Sequence, residues 1–93
     1  MAVSFNPMKL TQPTTNGDAI QMQGNNTVAN HSTTSPYTVP EGADYVTVSS
    51  DTAATITATP LLNNQTGYST RYEGAFNVDI PNVIPGVTII TVA

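Results

Sequence analysis

No cysteine and no tryptophan occur among the 93 residues, and histidine occurs once, at position 31. The first absence removes disulfides and thiolate metal sites. A lone His31 leaves no histidine cluster for zinc or iron. Charge is also scarce: Asp, Glu, Lys and Arg make up 9% of the chain, against about a quarter in an average soluble domain. Lys9 and Arg71 face six acids, Asp18, Glu41, Asp44, Asp51, Glu73 and Asp79, for a net charge of −4. Two cations argue against a nucleic-acid partner, because phosphate binding needs several Lys or Arg to displace counterions. They argue equally against an anionic membrane surface. No apolar run reaches the ~18 residues that cross a bilayer. "MAVSFNPMKLTQP" lacks the basic start and continuous apolar core of a secretory signal. The expectation is a soluble chain made in the cytoplasm, in which the sequons at Asn25, Asn30 and Asn64 follow from an Asn/Thr-rich composition.

What is present is alternation. A chain of this length makes one domain, and an apolar fraction of 39% favours folding over disorder. Without disulfide or thiolate metal site, the staple expected for a domain this small is self-association or docking on a larger body. Residues 1–16 carry Pro7, Pro13 and isolated apolar side chains without a period, which predicts an extended N-terminal arm ahead of a β-domain over 17–93. In that arm Phe5, Met8 and Leu10 are candidate anchors on a partner, since a merely solvating tail seldom carries them.

"DAIQMQ" (18–23) alternates as a short strand, and "GNNTVANHSTTSP" (24–36) reads as a long polar loop. Tyr37 to Val39 resume extended structure before the "PEGA" turn. "DYVTVSSDTAATITATP" (44–60) places Val46 and Val48, then Ala54, Ile56 and Ala58, on apolar faces. Its threonines and serines lie opposite, and the expectation is a β-hairpin turning at "SSDT". "YSTRY" (68–72) and "AFNVDI" (75–80) alternate again. "VTIITV" (87–92) is apolar on both sides and reads as a central or covered strand. No helical period exceeds one turn. Six or seven short strands at this spacing predict an all-β fold, a small antiparallel sandwich or barrel of jelly-roll-like kind.

The constellations of catalysis are missing from this pattern. A nucleophile needs a base, an orienting group and oxyanion donors together. His31 sits in "NHS" within the polar loop, without a G-x-S-x-G elbow, and reads as solvated. Glu41 with Asp44 and Glu73 with Asp79 flank turns, where capping and solubility account for them. Asp18 and Asp51 are candidate calcium ligands only with loop carbonyls, and no D-x-D-x-D-G spacing occurs. No enzyme activity, cofactor or metal is expected. The tyrosines offer one alternative. Tyr68 and Tyr72 share a strand face, with Tyr37 and Tyr45 near another, so they are candidates for a sugar-stacking platform or for interface aromatics.

Three stretches carry a resemblance. "LTQPTTNGDAIQM" (10–22) is similar to the Q-P-G-D opening of a capsid-cement family. "RYEGAFNVDIP" (71–81) is similar to that family's E-G-x-F turn into a strand ending at proline. "VPEGADYVTVSSDTAATIT" (39–57) resembles a β-unit recurrent in short phage structural proteins. Together they cover about half the chain. The chain thus resembles the head-decoration proteins of tailed bacteriophages, which are small, β-rich and cysteine-free. The resemblance implies a virion protein on the capsid surface, bound to the major capsid protein and forming homo-oligomers, with trimers favoured and dimers an alternative. It implies no active site. Phe5, Met8, Leu10, Tyr68 and Tyr72 are then the candidate interface residues. The alternatives are a tail, neck or fibre-associated virion protein, or a small glycan-binding module.

Overall fold

The computed structural model describes residues 2–9, 26–27, 30–62 and 67–93. Among them there is no helix. The strands are β1 (Val3–Lys9), β2 (Asn26–Thr27), β3 (Tyr37–Thr38), β4 (Tyr45–Ser50), β5 (Ala54–Thr59), β6 (Tyr68–Tyr72), β7 (Phe76–Ile80) and β8 (Ile89–Val92). Every pairing is antiparallel, in two four-stranded sheets of order β2-β1-β4-β7 and β3-β8-β5-β6. The expected all-β sandwich is thus the fold. Among the described residues there are eight strands where six or seven were expected for the chain, and two of these are only two residues long. The strand expected over 18–23 lies outside the described residues.

Alternation decides which side chains enter the core. In the first sheet Phe5, Val48 and Val78 share one row across the strands, and Pro7, Val46 and Ile80 share the next. In the second sheet Ala58 lies between Tyr68 and Ile90, and Ile56 between Thr70 and Val92. Phe5, Val46, Val48, Ile56 and Ile90 are completely buried, and Ile80 nearly so. Each such side chain removed from water stabilises the fold by about 1.5–3 kcal/mol. The opposite faces carry Ser4, Asn6, Thr47, Ser49, Asn77 and Asp79 on one sheet. The other sheet presents Thr38, Thr55, Thr57, Thr59, Ser69, Arg71, Ile89 and Thr91. Hydroxyls keep these faces wet with little charge, Asp79 and Arg71 being the ionised members, and β-branched threonine suits the pleat.

Two expectations are corrected. The N-terminal arm is, over Val3–Lys9, a strand flanked by β2 and β4, and Phe5 and Pro7 are among the most deeply buried side chains. The prolines of the stretch suggested an arm, but Pro7 keeps its place in the strand with its ring in the core. Residues 10–16 lie outside the described residues. Second, β4 and β5 are not a hairpin: β4 pairs with β1 and β7, while β5 pairs with β6 and β8. Residues 51–53 arch from one sheet to the other. Buried Ser50 fixes this arch, its Oγ donating to the Thr52 carbonyl at 2.9 Å and accepting from the Thr52 N–H at 3.2 Å. Ala2 N–H donates to Asp51 Oδ1 at 2.7 Å, and Asp51 N–H to the Ala2 carbonyl at 3.1 Å, tying the chain start to the arch. Residues 73–75 make a second crossing beside the first, since Ala54 pairs with Tyr72 and Ser50 with Phe76. Apolar alternation is satisfied equally by two strands side by side and by two strands facing across a core.

β8 lies between β3 and β5, a central strand as expected, but it is covered on one face only. Ile90 and Val92 point inward, whereas Ile89 is 45% exposed.

Candidate functional site

The sandwich has two flanks, and they are built differently. On the β2/β3 flank the rings of Phe5 and Tyr37 stack at 4.8 Å and 8°, both inside the core. Tyr37 Oη donates to the Asn30 carbonyl at 2.8 Å. Phe5 and Ser32 exchange main-chain hydrogen bonds at 2.8 and 3.1 Å, so the segment at Asn30–Ser32 closes this side. Burial pushes the Tyr37 hydroxyl pKa above its ordinary value near 10.0.

The β6/β7 flank is half open. Gly67, at φ 83°, precedes β6, and a Cβ there would stand 2.7 Å from the Ala58 carbonyl oxygen and 2.8 Å from Thr59 Cβ. Only glycine combines that close approach with that backbone. Beyond it Tyr68, Thr70 and Tyr72 alternate toward the inter-sheet side, opposite Ala58, Ile56 and Ala54. The Tyr68 and Tyr72 hydroxyls hydrogen-bond to each other at 3.0 Å. Tyr72 also stacks on Phe76 across the sheets at 4.7 Å and 27°. Tyr68, Tyr72, Phe76 and Val78 pack against the core yet stay half-exposed. The hydrogen bond with Tyr68, then burial and the Tyr68 charge, raise the Tyr72 pKa above 10.0. On the outer side of β6, Arg71 Nε donates to Glu73 Oε2 at 3.4 Å, with both side chains largely in solvent.

The candidate residues therefore separate. Phe5 is wholly buried and stacked on Tyr37, so in the folded protein it holds the core and is not a free anchor. Met8 is half-buried, paired with Thr27 of β2 and Tyr45 of β4. Leu10 lies outside the described residues. Tyr68 and Tyr72 stand together on the half-open flank, joined by Phe76 and Val78, which the sequence reading placed in a strand but not at a surface. The signal for those two was their position on an edge strand, which strand order alone reveals. The four tyrosines make no common platform: Tyr37 is in the core, and Tyr45 is on the far face of the other sheet.

His31 is exposed, as expected, and has a neighbour that was not foreseen. Its Nε2 lies 3.2 Å from Ser4 Oγ, which also accepts from Asn6 Nδ2 at 3.1 Å. Among the described residues no carboxylate orients the ring, and the pair lies on an outer sheet face. Asp79 accepts from Thr47 Oγ1 at 2.8 Å on the first sheet, while Glu73 pairs with Arg71 on the second. These two acids are thus engaged separately. Among the described residues no three His, Asp or Glu side chains converge on a metal-sized site. Asp18 lies outside those residues.

Comparison of the chain with protein-family models, with curated proteins and with solved structures returned no match.

Proposed function

We propose that the chain is a bacteriophage structural protein, a head-decoration subunit that acts by contact. The observation carrying this reading is the half-open β6/β7 flank. There Tyr68, Tyr72, Phe76 and Val78 offer half-buried apolar surface, gathered in one place, whereas the outer sheet faces are rich in serine and threonine hydroxyls and carry Ile89 as a single exposed apolar side chain. Tyrosine and phenylalanine are the side chains enriched at protein interfaces, and charge is depleted at interface centres. The three stretches that resemble cement proteins supply the location, on the capsid surface against the major capsid protein. Modest affinity per copy suffices there, because a symmetric shell presents many sites and linked copies gain effective concentration. With Phe5 committed to the core, the anchors are Tyr68 and Tyr72, with Met8 second.

The test uses heads of the phage that encodes the chain, stripped of this protein. Added protein is expected to co-sediment with the heads saturably and to raise the temperature at which they release DNA. Absence of binding, or heads equally heat-resistant without it, overturns the reading.

A further inference from the structure

Each sheet of an open sandwich has two edges, whose unpaired main-chain groups invite another strand unless something blocks them. Among the described residues, three of the four edges carry such a block. β2 is two residues long. β3 is also two residues long and lies between Pro36 and Pro40. β7 carries Asp79 and ends at Pro81. β6 is the least guarded of the four. It runs five residues, Tyr-Ser-Thr-Arg-Tyr, without proline, and its one charge, Arg71, lies 3.4 Å from Glu73 Oε2 in an exposed pair. Its residue types favour strands. Among the described residues no strand covers its outer side.

We infer that β6 pairs antiparallel with β6 of a second copy, about a two-fold axis at Thr70. Its sequence is self-complementary in that register. Thr70 lies opposite the second copy's Thr70, Tyr68 opposite its Tyr72, and Ser69 opposite its Arg71. No like charges stand directly opposite. Because Tyr68 and Tyr72 occupy one face of β6, the pairing gathers four tyrosines around the axis, with Cβ atoms of opposed residues about 4.5–5.5 Å apart. Five-residue strands paired this way exchange about four to six main-chain hydrogen bonds. The two four-stranded sheets become one eight-stranded sheet. β7 is the poorer choice, since Asp79 adds negative charge to the junction of two chains that each carry −4. Lys9 is on β1, in the interior of the other sheet, so Arg71 is the cation available to this edge.

This inference deepens the proposed function by naming a second copy of the chain as a partner of the same flank, and the test separates the two. Sedimentation velocity on the purified protein over a dilution series is expected to show a species of twice the 9.8 kDa chain mass. Ser69 is exposed, so its substitution leaves the fold intact, as circular dichroism verifies. Ser69→Lys sets two cations against the two Arg71 side chains and weakens the dimer about tenfold. Ser69→Glu strengthens it, and Ser69→Lys combined with Arg71→Glu restores it. A monomer or trimer for the natural sequence overturns the pairing, as does a dimer indifferent to all three variants. A dimer that ignores phage heads leaves the pairing standing and removes the decoration role. A monomer that binds them does the reverse.

Discussion

The two flanks of this sandwich use the same kind of aromatic pair to opposite ends. Phe5 and Tyr37 stack inside the protein, with the Tyr37 hydroxyl spent on the Asn30 carbonyl and the segment behind them closing the sheets. Tyr72 and Phe76 stack at nearly the same separation but stay half in water, on two edge strands that no described residue pairs further. One pair is therefore a stability element. The other is a half-exposed pair, its rings fixed by neighbours and part of its apolar area left in water. A stacking distance alone does not distinguish them; what lies behind the rings does.

Phe5 is where the two flanks differ most. Phe5→Ala removes a fully buried ring and is expected to cost about 3–5 kcal/mol, enough to leave a domain this small largely unfolded in urea titrations. Next comes Thr88, wholly buried near β3, whose Oγ1 donates to the Pro60 carbonyl at 2.6 Å and accepts from Ile84 N–H at 2.8 Å. Its own carbonyl accepts from Val39 N–H. Thr88→Val keeps the shape and removes the partner of two part-buried polar groups, for an expected loss of about 1–3 kcal/mol in the same titration. Phe76→Ala on the open flank is expected to cost only about 1–2 kcal/mol, in proportion to the area buried. If it costs as much as Phe5→Ala, the flanks are not different in kind.

The smallest effect is alkaline. Tyr37 and Tyr72 hold their protons more tightly in the folded protein than in the unfolded chain, where tyrosine titrates near 10.0. Their contribution is thus complete below about pH 10 and is lost as pH rises through the raised folded values. The urea midpoint should fall across that window, and Tyr72→Phe should flatten part of the fall. A midpoint that instead rises with pH there contradicts the hydrogen-bonded tyrosine pair.

Which residues face inward was readable from pattern alone. Val46, Val48, Ala54, Ile56, Ala58 and Ile80 were assigned to apolar faces and are buried, because a pleated strand forces neighbours to opposite sides. Tyr68 and Tyr72 were likewise placed on one face, and they lie together. The all-β fold class followed from the same signal. Strand partnership did not follow. The turn at "SSDT" (49–52) looked like that of a hairpin because local periodicity does not record whether the next strand lies beside its predecessor or across from it. Phe5 looked like an anchor because proline and sparse apolar residues also describe a core strand whose partners are distant in sequence. Its contacts to Ser32, Tyr37 and Val48 are all long-range. The Ser4–His31 contact was invisible for the same reason.

Alternation, hydroxyl-rich outer faces and the shortage of charge belong to the chain before it folds, since they depend only on residue type and a period of two. Sheet order is different: it arises when strands distant in the chain compete to pair, and that competition made β1 an interior strand and left β6 at an edge. The open flank exists because β6 and β7 came last in their sheets, an outcome set by long-range packing that no short stretch of residues encodes.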